Sequence, residues 1–270
     1  MKQKRERNFY LLFGGILTAL LVVMIVTGFF WTPYSVTKMA PREKLLPPSA
    51  SHWMGTDNFG RDIFSRVLKG AGKTLLIAAA SAGAGGLAGI VIGCFTGYFG
   101  GWADELLMRF NDAVSSFPSV LLALVLISLF GPGESQIVLA LGILFVPSFS
   151  RLVRSEVVRC RNMDYVENAK LMGAGPMRIM FLHIFPNVRT TFLSGLAIGF
   201  NNAVLAESSL SYLGLGVQPP NASLGRMLSE SQTYFLSAPW YPLCVGLVIV
   251  LMILAFSMLG EGLSSAGRGR

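Results

Sequence analysis

Residues 164–187, DYVENAKLMGAGPMRIMFLHIFPN, lie between two long apolar runs and decide how the rest of the chain folds. In the first half, apolar residues recur at three- and four-residue spacing beside charged ones, as in a helix with one apolar stripe. This stripe consists of Tyr165, Val166, Ala169 and Met172. Gly173 is placed to end the helix, and Pro176 suits the first turn of a second one. The apolar residues of this second helix are Met177, Ile179, Met180 and Phe181. We therefore predict a helical hairpin that rests either on the chain's own membrane bundle or on a partner.

The composition is that of an integral membrane protein. Of the 270 residues, 53% are hydrophobic and only 13% are charged, whereas about a quarter of the residues of a soluble domain are charged. The formal net charge of +8 is explained by Lys and Arg residues that hold cytoplasmic loops in place. Because these residues are not interleaved with exposed aromatic residues, we expect no nucleic-acid partner.

Cysteine and histidine usage predicts neither disulfides nor a metal site. The three cysteines, Cys94, Cys160 and Cys244, are far apart and form no CxxC pair. The two histidines, His52 and His183, fall on opposite sides of the membrane in the topology below. We therefore expect no metal and no cofactor bound by this chain.

Apolar runs predict an all-α membrane protein with six transmembrane helices. The runs cover residues 9–31, 74–98, 118–130, 136–150, 188–205 and 241–259. Most of the 22 Lys and Arg residues fall in the N-terminus, the C-terminus and the loops on one side, which places both termini in the cytoplasm. A five-helix alternative would put the termini on opposite sides. A cleaved signal peptide is disfavoured, because the first run is longer than the usual, roughly 7–15 residues and no small-x-small site follows it.

Two polar segments are predicted on the outer side. The first, 32–73, is rich in proline and contains 52–70, HWMGTDNFGRDIFSRVLKG, which we interpret as an interfacial helix on the outer face. The apolar stripe of that helix is Ile63, Phe64, Val67 and Leu68. The second, 207–238, contains SYLGLGVQPP and is predicted to form a compact turn.

Three further patterns have structural interpretations. Residues 70–74, GAGKT, imitate the end of a phosphate-binding loop, but that motif requires glycine at position 67, where the chain has Val67. The second apolar run repeats glycine every four residues, which lets another helix approach closely. These glycines are Gly85, Gly89, Gly93 and Gly97. The polar residues at 99–112 predict a short cytoplasmic connection, with pairing of Arg109 and Asp112 inside the bundle as the alternative.

The hairpin resembles the EAA motif of ABC-importer permeases. Glu167-Asn168-Ala169, then Gly173, then His183-Ile184-Phe185-Pro186 match that motif, with Asn168 and Phe185 as departures from it. Further blocks make the chain similar to the C-type permease of the dipeptide, oligopeptide and nickel subfamily, in the expected order over nearly the whole chain. These blocks are HWMGTDNFGRDIFSR, ESSLSYLGLGVQPP, APW and MLGEGL.

The resemblance implies a type I ABC importer permease fold in a bacterial or archaeal cytoplasmic membrane. It divides the chain into an N-terminal helix and outer segment at 1–73, a permease core at 74–263 and a tail at 264–270. The implied partners are a homologous permease in a heterodimer, two ATPase subunits that bind ATP and Mg, an extracytoplasmic binding protein and membrane lipid. It also implies that the hairpin couples to an ATPase through Tyr165, Glu167, Ala169, Gly173, Ala174 and Pro186.

The substrate path is less determined by the sequence. Asn201, Asn202 and Glu207 are polar residues in or just after the fifth apolar run, and they either line a central cavity or hydrogen-bond between helices. Peptides are the expected cargo, with nickel or a nickel chelate as the alternative. A membrane enzyme is disfavoured because no catalytic cluster shares one depth, and an ion-coupled carrier because no internal repeat is evident.

Overall fold

The computed structural model describes the backbone of residues 2–267 and the side chains of residues 12–262. Within these ranges the regular secondary structure is helical, apart from one isolated β-bridge between Thr56 and Asp62, and loops make up most of residues 31–62 and 213–223. The helices are α1 Lys2–Phe30, α2 Ile63–Phe99, α3 Gly101–Ser116, α4 Ser119–Phe130, α5 Glu134–Arg161, α6 Asp164–Leu171, α7 Pro176–Arg178, α8 Phe185–Tyr212, α9 Leu224–Ser231 and α10 Trp240–Gly267. A π-helical segment, Ile179–Ile184, joins α7 to α8. The all-α prediction is confirmed.

Several of these helices are long and apolar enough to cross a membrane. By length and composition, four of the described helices qualify, and they belong to α1, α2, α5 and α10. The pair α3 and α4 qualifies as a fifth, broken span whose two parts are bent by 93°. These helices make the chain a multi-pass membrane protein. A sixth span, which would have to be α8, stays a prediction.

The close contacts between helices give each one its direction. Along α2 and α5, Gly85 lies on Phe145 and Gly97 lies on Val157, so these two helices run parallel. α8 runs antiparallel to α5, because Gly195 lies on Leu152 and Gly199 lies on Phe149. α1 and α10 are antiparallel to each other, since Gly14 lies against Met258 and the Thr18 hydroxyl donates to the carbonyl of Ala255. We call the end of the bundle that carries residues 164–187 the hairpin end, and the other the opposite end.

The four regularly spaced glycines of α2 form its contact with α5. A methyl group added at Gly93 would lie 2.7 Å from the carbonyl oxygen of Ser150 and 2.7 Å from Cβ of Val153. Gly97 is equally close, with Val157 Cβ at 2.8 Å. At these positions the helix backbones are too near for any side chain, which is the use of small residues in membrane helix pairs.

Replacing Gly93 by alanine should therefore destabilise the protein by about 1–3 kcal/mol, because the added methyl group forces α2 and α5 apart. Gly83 is the matched control in the same helix, since a methyl group there meets nothing within 4 Å. Gly83→Ala should leave the melting temperature unchanged or raise it slightly, because alanine favours helix. Thermal unfolding of the purified variants measures both changes, and equal melting temperatures would show that the contact is not tight.

The structure corrects the interfacial helix predicted for residues 52–70. α2 begins at Ile63, where Asp62 accepts a hydrogen bond from the Ser65 amide at 2.7 Å, and continues without a break to Phe99. Ile63, Val67 and Leu68 are buried at 2% exposure or less, so this stripe faces the bundle and not lipid. The boundary drawn after residue 73 lies inside α2, and so does the GAGKT sequence, in which Lys73 pairs with Glu134 at 2.8 Å.

The polar stretch after α2 is also different from the prediction. It forms helix α3, which is held to α5 by polar side chains: Arg154 forms two hydrogen bonds with Asp104 at 2.6 Å, and Asn111 donates to Ser150 at 2.8 Å. The pairing of Arg109 with Asp112 is wrong. Arg109 pairs with Glu105 on the surface, and Asp112 pairs with Arg151 of α5.

Near the C-terminus, the helix α10 extends past the predicted end of the last apolar run at 259 and includes residues 264–267 of the predicted tail. The remaining tail residues, and the side chains of the basic N-terminus that supported the predicted orientation, lie outside the described residues.

Candidate functional site

A compact turn closes the hairpin at Gly173. This glycine has φ +81°, which places it in the left-handed region where a side chain is strained. Its amide donates to the carbonyl of Lys170 at 2.9 Å, and the amide of Ala174 donates to Ala169 at 3.0 Å. These bonds satisfy the last carbonyl groups of α6 and fix the direction of the chain that leaves it. The predicted roles of Gly173 in ending α6 and of Pro176 in starting α7 are confirmed.

The second arm of the hairpin has no break before α8. The sequence predicted a separate helix starting at residue 188, whereas α7, the π-helical segment and α8 form one continuous helical path. Proline lacks the amide hydrogen that an α-helix needs, so Pro186 leaves the preceding turn without one bond. That turn is a π-helix, in which the amide of Phe185 reaches back to the carbonyl of Met180. The hairpin is therefore joined to α8 without a non-helical linker.

The inner surface of the hairpin packs on the bundle. Its buried residues form one cluster with α5 and α8, in which Val157, Val188 and Phe192 take part from the bundle side. The hairpin contributes Val166, Ala169, Ile179, Met180 and Ile184, each at most 7% exposed. A cluster of this kind ties the hairpin to both neighbouring helices at once.

A hydrogen bond also joins the two arms. Asn187 donates to the Tyr165 hydroxyl at 3.2 Å and to the carbonyl oxygen of His183 at 2.9 Å. Burial, together with the neighbouring Cys160, raises the pKa of the Tyr165 phenol above its ordinary value. The phenol therefore stays neutral at physiological pH, and the link between the arms does not depend on its ionisation.

The outer surface of the hairpin exposes large apolar side chains at its tip. Leu171 is 85% and Met172 89% exposed, and Met177 is also largely exposed. Met172 was predicted on the buried stripe, which is wrong because the chain turns away at Gly173 before that stripe can continue. Sequence reasoning missed Leu171 altogether. Exposed apolar residues that lie together mark contact with a partner protein or with the membrane.

The residues predicted for coupling fall on different surfaces of the hairpin. Glu167, Gly173 and Pro186 are exposed, and Glu167 has no ion pair among the described side chains. Tyr165 and Ala174 are half-buried, and Ala169 belongs to the buried cluster. Only the exposed subset is available to a partner; the others hold the hairpin in place.

A cavity of about 630 Å³ lies between α4, α5 and α8. Its walls are mostly apolar, with Asn202 and the hydroxyls of Ser119, Ser148 and Ser209 as the polar groups. Asn202 thus lines the cavity, which is what the cavity-lining interpretation of the sequence predicted for it. Asn201 does not line it, and its side-chain oxygen is buried without a hydrogen-bond partner among the described residues.

Glu207 lies behind the wall of this cavity. Its side chain is fully buried and accepts a hydrogen bond from Ser211 at 2.7 Å. Thr74 of α2 and Ser223 at the start of α9 also face the carboxylate. The structure therefore places Glu207 where α2, α8 and α9 meet and away from the cavity lining, and its second carboxylate oxygen has no hydrogen-bond partner among the described residues.

Fold and site together define a multi-pass membrane protein with a rigid helical hairpin exposed at one end. The chain belongs to the family described as binding-protein-dependent transport system inner membrane component, whose sequence model matches residues 89–265. The matched region contains the whole hairpin and the cavity. The protein is therefore a transport permease subunit.

Similar proteins cover nearly the full chain. The dipeptide transport system permease protein DppC of Alkalihalophilus pseudofirmus is 37% identical over 97% of this chain and 86% of its own length. DppC of Bacillus subtilis is 36% identical over 98% and 83%. The glutathione transport system permease protein GsiD of Pectobacterium atrosepticum is 35% identical over 93% and 85%.

A solved structure shares the fold. The chain matches a chain of the MetNI methionine ABC transporter, solved in inward-facing conformations, with a TM-score of 0.62. The match covers 74% of this chain and 95% of that chain at 16% sequence identity. The predicted ABC importer permease fold is thereby confirmed.

Proposed function

We propose that this chain forms, with a homologous permease, the membrane path of an ABC importer for dipeptides and oligopeptides. The hairpin carries the proposal: it is packed on α5 and α8 from inside and presents Leu171 and Met172 to a partner from outside. A partner that moves the exposed tip also moves α5 and α8, because no flexible linker lies between the tip and these two helices. Two ATPase subunits, which bind ATP and Mg, are the proposed partners at this surface.

The orientation follows from the same assignment. The hairpin end faces the cytoplasm and the opposite end faces outward, where an extracytoplasmic binding protein delivers the substrate. α8 is the sixth span; it contacts α2, α5 and α10 inside the bundle, which shelters polar residues that lipid would not accept. The membrane is the cytoplasmic membrane of a bacterium or archaeon, and both termini are cytoplasmic.

Coupling proceeds through displacement of the hairpin. ATP-driven closure of the ATPases pushes on Leu171, Met172 and Glu167, and the buried cluster beneath passes this motion to α5 and α8. These two helices also form much of the wall of the 630 Å³ cavity. Their displacement changes the shape of that cavity. This change opens the transport path alternately to the two sides of the membrane.

The names of the relatives support peptides as the substrate. Two of them are named for dipeptide transport and one for glutathione, itself a peptide. The cavity agrees with such a substrate, because its apolar walls suit varied side chains while Asn202 and the serine hydroxyls can bond a peptide backbone. Substrate selection is assigned chiefly to the binding protein.

Uptake measurements test this function. Membrane vesicles that contain the complete transporter should accumulate a labelled dipeptide only with ATP and the binding protein, and unlabelled peptides should compete while nickel chloride should not. Vesicles lacking this subunit provide the control. ATP-dependent nickel uptake that peptides do not inhibit would assign the alternative substrate, and uptake independent of ATP would refute the ABC mechanism.

A further inference from the structure

A cluster of five charged side chains, of which Asp57, Arg61 and Arg66 are buried, lies at the opposite end, far from the hairpin. Arg61 donates to Asp57 at 2.6 Å and to Glu230 at 3.1 Å, and Arg66 donates to the same Glu230 oxygen at 3.1 Å. Arg226 donates to the other oxygen of Glu230 at 3.2 Å. Three guanidinium groups thus meet two carboxylates, so the cluster has one positive charge in excess.

The excess charge is located at Arg226. Asp57 and Arg66 are fully buried, and both oxygens of Glu230 are occupied by arginines. Arg226 is the most exposed of the five, at 24% of its side chain. It gives Glu230 only its Nε hydrogen, and its two terminal amino groups donate no hydrogen bond within the part of the chain that the structure describes. A planar pair of unused donors fits one carboxylate in a bidentate arrangement.

Arg226 lines a cavity of about 470 Å³ between the segment before α2 and helix α9, whose walls combine charged and polar groups with the apolar side chains of Met39, Phe59 and two prolines. Besides Arg61, Arg226 and Glu230, the cavity is lined by further polar groups, which include Asn58, Ser229, Thr233 and Tyr234. An incoming carboxylate would therefore meet amide and hydroxyl donors around the guanidinium. The cavity shares no lining residue with the 630 Å³ cavity between α4, α5 and α8.

The surface around this cavity is basic as well. Lys38, Arg42 and Lys44 are exposed on the segment that contributes Thr37 and Met39 to the cavity wall. None of these three forms an ion pair among the described side chains. A positive surface around a positive cavity attracts an acidic protein and speeds its association.

We propose that this cavity receives a carboxylate side chain of the extracytoplasmic binding protein and thereby docks it on this subunit. The proposal rests on the proposed function, which places the opposite end outside. The carboxylate of a free peptide substrate could also bind Arg226. A substrate bound there, however, would lie outside the 630 Å³ cavity whose walls the hairpin is proposed to move. An acidic side chain on a docked protein explains both the isolated pocket and the basic surface that surrounds it.

The test compares two substitutions that remove one positive charge from the same end. Arg226→Gln removes the bidentate donor, whereas Lys69→Gln removes a charge outside the cavity, where Lys69 donates to the carbonyl of Phe29 at 3.1 Å. Affinity of the purified binding protein for the complete transporter in lipid nanodiscs is measured at low and high salt. We expect Arg226→Gln to raise the Kd about tenfold or more at low salt, as loss of a charge-assisted bond should. Arg226→Lys should give an intermediate Kd, because lysine keeps the positive charge but lacks the planar pair of donors that binds a carboxylate in a bidentate arrangement.

Equal Kd values for Arg226→Gln and Lys69→Gln would overturn the site, since the effect would then come from net charge alone. A change in binding of labelled dipeptide without the binding protein would overturn it too, by showing that the substrate supplies the carboxylate. ATPase subunits that copurify with the same preparations, and ATP-dependent uptake by unsubstituted transporter, report separately on the proposed function. If Arg226 fails the binding test while the ATPase subunits still copurify and uptake still depends on ATP, the proposed site is wrong and the proposed function is unaffected.

Discussion

Replacing Leu171 and Met172 by aspartate should lower ATP-dependent uptake by roughly tenfold or more while the amount of subunit in the membrane stays the same. The two side chains are 85% and 89% exposed, so their replacement removes no packing from the bundle. At a docked interface, however, an apolar side chain that acts as a hot spot contributes about 2 kcal/mol or more to binding, and an introduced charge would have to be desolvated. The result is measured as uptake into vesicles and as ATPase subunits that copurify with the permease.

Leu236 offers the matched control. It is 94% exposed and lies just before α10, at the opposite end. Leu236→Asp makes the same chemical change and should leave the copurified ATPases unchanged. Retention of ATPases and uptake in the double variant of Leu171 and Met172 would show that the tip of the hairpin is not the docking surface.

Replacing Arg66 by alanine should reduce the free energy of unfolding by about 3–5 kcal/mol, the usual effect of removing one partner from a buried ionic cluster. Arg66 is fully buried, and its loss leaves Asp57 and Glu230 with fewer partners in a site that water does not reach freely. The cluster joins the segment before α2 to α9. Thermal or denaturant unfolding of the purified protein measures the loss.

Arg109 is the control for this substitution. It pairs with Glu105 one helical turn away, and both side chains are more than half exposed, at 77% and 62%. Exposed pairs of this kind contribute about 0.3–0.5 kcal/mol, so Arg109→Ala should hardly change the melting temperature. If the two variants unfold at the same temperature, the buried cluster does not hold the opposite end together.

The hairpin could be predicted from the sequence because its determinants are local. Gly173 and Pro176 act on their own backbone, through a left-handed φ and a missing amide hydrogen, and each is visible in the sequence itself. The apolar runs likewise reveal most of the spans. Met172 was misplaced because a periodic stripe carries no information about where the chain leaves the helix.

The buried cluster could not be predicted, because its partners are far apart in the sequence. Arg66 and Glu230 are separated by 164 residues, and neither shows a pattern that pairs it with the other. The stretch 52–70, which contains Arg66, was therefore interpreted as an interfacial helix. In the structure the charge of Arg66 is neutralised, which allows α2 to begin at Ile63 and to bury its first turns.

Glu207 illustrates the same limit inside the bundle. A carboxylate near the end of a membrane helix indicates either a substrate path or a bond between helices, and the sequence does not separate the two. The two can be separated only in the folded chain, where α2 and α9 pack against α8, bring Thr74 and Ser223 near the carboxylate and leave it away from the cavity. Asn202, one and a half turns earlier, faces the cavity instead.

Photo-crosslinking from the hairpin tests most directly whether it is the attachment point of the ATPases. The crosslinker p-benzoylphenylalanine replaces Met172 in one variant and Leu236 in another, both in complete transporter that retains uptake. Irradiation should join the variant at position 172 to an ATPase subunit, identified by mass spectrometry, and should give no such product at position 236. A transport-competent complex that yields no ATPase adduct from position 172 would contradict the assignment.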